Sequence, residues 1–171
     1  ICFPFILNIY NDYHTEVIDK KILVETLKLV QSFIWRRFIV GIPTQGLDRI
    51  FARLYDSHDA SNYLTSISKS LIKMTGAQRF PADDETLPQL KIKDLYNIKI
   101  NNRTYFLERL ENHNNKEPVK IEGNPDITTE HIFPQKPSHK WTANIPQKEC
   151  DEIKEKYLHT IGNLTLIGTN S

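Results

Sequence analysis

Residues 128–135 read TTEHIFPQ, which sets a carboxylate, Glu130, beside an imidazole, His131, and closes the segment with Pro134. Far downstream, Asn163 follows a glycine in TIGNLTLIG, and Asn170 stands next to the last residue. These residue types suit the hydrolysis of a phosphodiester. A neutral imidazole can take a proton from water, an oxygen-ligated divalent cation can bind the phosphate and the leaving oxygen, and a further group must hold the imidazole. Glu130 and Asn170 carry hard oxygen donors of the kind Mg²⁺ accepts. By spacing alone the signal is weak, because Glu-His neighbours arise by chance, and a hydrogen-bonded structural histidine is the plain alternative for His131.

For these residues to meet, a strand ending near His131 must lie against another beginning near Asn163. VKIEG and DITTEHI are rich in β-branched residues with GNPD turn chemistry between them, and GNLTLIG has the same character, so three short strands are expected. Adjacent residues of a regular strand face opposite ways, so Glu130 and His131 can share a site only at a strand end or a bulge. Pro134 favours a strand end. Between the strands the chain is polar, with Trp141 as a core or hairpin anchor and a short helix over DEIKEKYL.

Upstream the periodicity is helical. Ile18, Ile22, Val30, Phe33 and Ile34 predict one long helix from Thr15 to Val40, stopped by Gly41 and Pro43. Leu47, Ile50, Phe51, Leu54 and Tyr55 mark a second, and Ser61–Met74 a third with Gly76 beyond its end. A short acidic-capped helix is expected near residues 83–90 and another over RTYFLERLEN. Arg36 and Arg37 lie in an apolar helix, where at least one needs a partner, with Asp83 or Asp84 the candidates. The expected fold is therefore α+β and mostly α: a helical bundle over residues 1–113, then a small β-hairpin core over 114–171.

Composition sets the frame. With 39% hydrophobic and 25% charged residues, the 171-residue chain has ordinary globular character, and its net charge of +1 gives no general polyanion-binding surface. No run approaches the roughly 20 apolar residues of a bilayer span, so no membrane association is expected. Cys2 and Cys150 stand far apart without a CxxC pair, which points to a reducing, cytoplasmic setting. The opening ICFPFIL is too short for a signal peptide and follows no methionine, so it reads as a core segment of a longer chain.

TTEHIFPQ, Trp141, YLHTIGNLTL and the closing TNS together resemble the C-terminal domain of GmrSD-type modification-dependent restriction endonucleases, a branch of the HNH, or ββα-metal, nucleases. SFIWRRFIVG, RFPADDE and YFLERLE resemble the helical region before the nuclease core of that family. The resemblance implies a metal-dependent DNA endonuclease acting in restriction or phage defence. It casts His131 as the general base, Glu130 as an acidic metal ligand, Asn163 as the residue that fixes the loop and orients the histidine, and Asn170 as the final ligand. His159, His139, Lys136 and Lys140 are the candidates for contacts to DNA. The ββα pattern also implies a last helix that this chain lacks, hence an incomplete core expected to hold Mg²⁺ or Mn²⁺ weakly and to nick DNA slowly or not at all. Partners implied are DNA, including modified phage DNA, and an N-terminal nucleotide-dependent domain in the full-length protein. The competing class is a catalytically inactive module that binds nucleic acid or protein.

Overall fold

A computed structural model describes residues 2–168. Eight α-helices and one two-stranded antiparallel sheet are formed among the described residues, so the chain is α+β and mostly helical. It divides into two compact units, Ile1–Leu87 and Pro88–Ser171. The division falls within one helix at Pro88, whose ring removes a backbone N–H from the helical ladder.

The first unit is built from α1 (Phe3–His14), α2 (Lys20–Val40), α3 (Leu47–Asp56) and α4 (Tyr63–Ile72). Their apolar faces meet in a core that includes Phe5, Ile9, Val30, Phe33, Phe51 and Ile67. The long helix expected from Thr15 begins instead at Lys20. Asp19 accepts a hydrogen bond from the Ile22 N–H at 2.7 Å and caps α2 there, while the chain before it turns back from the separate helix α1. Gly41, with φ of +84°, closes α2 in the left-handed conformation that glycine adopts most readily. Asp12 is buried, and its carboxylate is satisfied by the hydroxyls of Tyr55 at 3.1 Å and Tyr63 at 2.6 Å.

The two arginines of α2 behave differently. Arg36 pairs with Asp83 at 2.5 Å. Arg37 is only 2% exposed and forms no ion pair among the described residues; its guanidinium donates to the carbonyls of Ala77, Arg79 and Pro43 and lies over the Phe33 ring. Burial, with the nearby Arg79 charge, lowers its pKa from the usual guanidinium value. The residue ties the segment after α4 and the turn after α2 to the helix itself. Arg37→Ala is expected to lower the unfolding free energy by about 3 kcal/mol, because three carbonyls lose a charged donor. Urea denaturation measures this, and a change below about 0.5 kcal/mol, typical of a surface site, would contradict the tie.

The second unit contains the rest of α5 (Asp83–Ile92), then α6 (Ile100–Glu111), β1 (Ile127–His131), α7 (His139–Thr142), α8 (Gln147–Glu152) and β2 (Leu164–Gly168). The strands pair from Ile127 with Gly168 to His131 with Leu164, in regular register. Val119–Gly123, expected as a strand, is a loop. Its backbone is taken up by side chains at the end of α6 instead: Glu108 of the helix accepts from the N–H groups of Ile121 and Glu122, and Asn112, which caps it, bonds both polar groups of Val119. A backbone satisfied in this way has no need of a strand partner. α8 continues into one π-helical turn over Ile153–Tyr157. Leu95, Leu107, Ile121, Phe133, Cys150 and Leu164 are the buried apolar side chains of this unit.

Candidate active site

His131 is the last residue of β1. Burial alternates along this strand, with Ile127, Thr129 and His131 partly covered and Thr128 and Glu130 exposed. Glu130 therefore sits on the outer face, opposite His131, because no bulge interrupts the pairing. Its charge still acts on the imidazole, which it raises in pKa.

The ring of His131 is flanked by aromatic and polar groups. Its Nε2 lies 3.1 Å from Nδ1 of His159, and its ring centroid is 4.3 Å from that of Tyr96. Tyr96 in turn stacks on His159 with an interplanar angle of 14°, and the Arg103 guanidinium lies 4.5 Å above the Tyr96 ring. Arg103 Nη1 donates to the Tyr96 carbonyl at 2.5 Å. Burial lowers the His131 pKa below the ordinary imidazole value, and the neighbouring His159 and Arg103 add to this against the opposing pull of Glu130 and Asp94. This lowering favours the neutral form of the ring.

Asp94 organises the segment that carries Tyr96. Its carboxylate accepts from the N–H groups of Tyr96 and Asn97 and from the Asn97 side chain. Burial alone would raise this carboxyl, but the Asn97 donors, the nearby His159 and the Tyr96 N–H together carry it below the usual range. The N–H groups of Leu95 and Tyr96 then donate to the His159 carbonyl, at 2.9 and 3.3 Å. The turn is thus bound to the residue that touches His131.

Asn163 is 7% exposed and uses both ends of its amide. Oδ1 accepts from the Phe133 N–H at 2.7 Å, and Nδ2 donates to the carbonyls of Phe133 at 3.1 Å and Leu158 at 2.8 Å. Its own carbonyl accepts from the Ile132 N–H at 2.9 Å, which carries the sheet bonding one step past His131. The amide therefore fixes the segment that leaves β1. Trp141 packs edge-on against Phe133 at 5.8 Å.

Lys136, His139 and Lys140 are exposed on the connection between β1 and α7 and on α7 itself. Asn170 lies outside the described residues. Among the described residues no three His, Cys, Asp or Glu side chains stand together as a cation site. Glu130 supplies one exposed carboxylate, so the described donors do not by themselves complete one. A cavity of about 380 Å³ runs beside β1, lined by Arg103, Asn101, Asn124 and Thr129 among others. Thr129 shares its face of the strand with His131.

Tyr96, Arg103 and Asp94 were not singled out by sequence. KDLYNIKINNRTYF contains no catalytic motif, and its one local signal, an aspartate ahead of an asparagine, indicates only a turn. What they do depends on the pairing of distant segments.

Residues 80–171 match the family model of the C-terminal domain of GmrSD restriction endonucleases. The match covers more than half of the chain, and the chain belongs to this family. No match was found among curated proteins or among solved structures. No helix among the described residues is long and apolar enough to cross a membrane.

Proposed function

We propose that this chain carries a DNA endonuclease of the HNH, or ββα-metal, class, with His131 as the general base. The observation that carries the reading is a half-buried imidazole at the end of a hairpin strand, held by a second ring and lowered in pKa. A base of this kind favours its neutral form and is ready to accept a proton. Family membership supports DNA as the substrate class and restriction as the setting, and modified phage DNA is the proposed target.

In this reading, a water beside His131 gives its proton to the imidazole as its oxygen bonds to phosphorus. The bond between phosphorus and the leaving sugar oxygen breaks. Asn163 keeps the backbone after His131 from drifting, so that the ring meets the water in one geometry. When bound, a divalent cation, Mg²⁺ or Mn²⁺, would neutralise charge on the phosphate and leaving oxygen, with Asn170 as the proposed oxygen donor; Glu130, on the face of β1 opposite His131, is left out of this set. His139, Lys136 and Lys140, exposed as they are, are proposed to contact the DNA backbone, with an N-terminal nucleotide-dependent domain governing which DNA is cut.

The test is nicking of supercoiled plasmid by the purified chain with Mn²⁺ or Mg²⁺, with and without a chelator. Cation-dependent nicking is expected, and the chelator should abolish it while leaving the helical circular dichroism unchanged, because the described cores are apolar. Undiminished nicking in chelator would remove the metal from the account. Binding of DNA with no cleavage under either cation would favour an inactive interaction module.

A further inference from the structure

The contact between the two histidine rings has two possible proton arrangements with opposite consequences. If His159 donated from Nδ1, the neutral His131 ring would carry its own proton on Nδ1 and would present no lone pair there. If His131 donates from Nε2, its Nδ1 is bare. Nδ1 carries no hydrogen bond to a described residue, and the ring is partly open, so this nitrogen is the one that can meet a water.

We propose that His159 is a positioning residue which accepts a hydrogen bond from His131 Nε2 at its own Nδ1, holding His131 in the tautomer whose bare Nδ1 serves as base. The inference rests on the nuclease reading above and assigns the tautomer that it requires. His159 is itself fixed from several directions. Its carbonyl accepts from the N–H groups of Leu95 and Tyr96, and its ring lies flat against Tyr96. Arg103 clamps Tyr96 by stacking on its ring and bonding its carbonyl. Asp94 sets the turn that presents those N–H groups, and its negative field reaches His159. In the accepting arrangement the one proton of the neutral His159 ring sits on Nε2. The His159 ring is thus oriented before substrate arrives, and through its 3.1 Å contact it orients His131.

Two measurements test this. Nitrogen NMR of the full chain labelled with ¹⁵N-histidine, recorded well above the imidazole range, should show His131 Nδ1 as an unprotonated, imine-type nitrogen and Nε2 as protonated. In nicking assays, His159→Leu should lower kcat on the order of 10²-fold with KM nearly unchanged, the scale of loss from a misplaced catalytic group. His159→Asn should recover most of that loss, since its Oδ1 occupies the position of the accepting nitrogen. A protonated, pyrrole-type Nδ1 on His131 would overturn the proposal whatever the activity. So would His159→Leu cleaving at the parental rate, or Asn failing to improve on Leu in a folded protein. Full cleavage by His131→Ala would instead remove His131 as the base, and no cleavage by the parent chain under either cation would sink the nuclease reading, so these failures are separable from that of the positioning role.

Discussion

His131→Ala is expected to lower the single-turnover rate of DNA cleavage by about 10²–10⁴-fold, the usual contribution of a general base. Stability should hardly change. The ring is only partly buried, and its hydrogen bond runs to a neighbour that solvent can also reach, so no deeply buried polar atom is orphaned by its removal. A melting temperature within a few degrees of the parent, together with a large fall in rate, is the combined outcome that marks a chemical role. Residual cleavage above one tenth of the parental rate in a folded variant would end the assignment of His131 as base.

Asn163→Ala should do the reverse in order of cause. Three buried or part-buried hydrogen bonds from one amide disappear, leaving the Phe133 N–H and the carbonyls of Phe133 and Leu158 without their partner. A loss of about 3 kcal/mol is expected, since each orphaned polar group costs about 1–3 kcal/mol and such costs are not fully additive. In a small unit this corresponds to roughly 10–20 °C in melting temperature. The Phe133 amide should exchange with solvent far faster, and cleavage should fall because the backbone leaving His131 has lost its anchor. Unchanged exchange at Phe133 would show that the amide is not the fastener described.

The helices α3 and α4 were legible because their apolar residues recur at a single helical spacing and meet a single core. The start of α2 was not, since the apolar stripe continues upstream of it and only the Asp19 cap marks the boundary. ICFPFIL reads in sequence as an apolar core segment, although Pro4 in the first turn of α1 is a helix-start signal. The lost strand at Val119–Gly123 has another cause: side chains of Glu108 and Asn112 compete for its backbone, and no local pattern reveals such a claim. The same distinction holds at the site. His131 and Asn163 stood out in short motifs, whereas the pairing of His131 with His159 spans 28 residues and exists only through the strand register and the Asp94 turn. Asn170 was named as a ligand and lies outside the described residues.

Acid should act on stability and activity in the same direction. Because the folded-state pKa of His131 lies below the ordinary imidazole value, the unfolded chain takes up this proton first as the pH falls. The residue accordingly withdraws stability below about pH 6.5 and none above it.

The claim that His131 is the base is tested most directly by the pH dependence of single-turnover plasmid nicking for the parent and for His131→Ala at saturating cation. The parent should show an acid limb with an apparent pKa below about 6.5, since the imidazole must be deprotonated to act and its pKa is lowered. In His131→Ala, the residual rate should lack that limb. An acid limb that persists unchanged in His131→Ala, or one in the parent that lies above the ordinary imidazole value, would contradict the assignment.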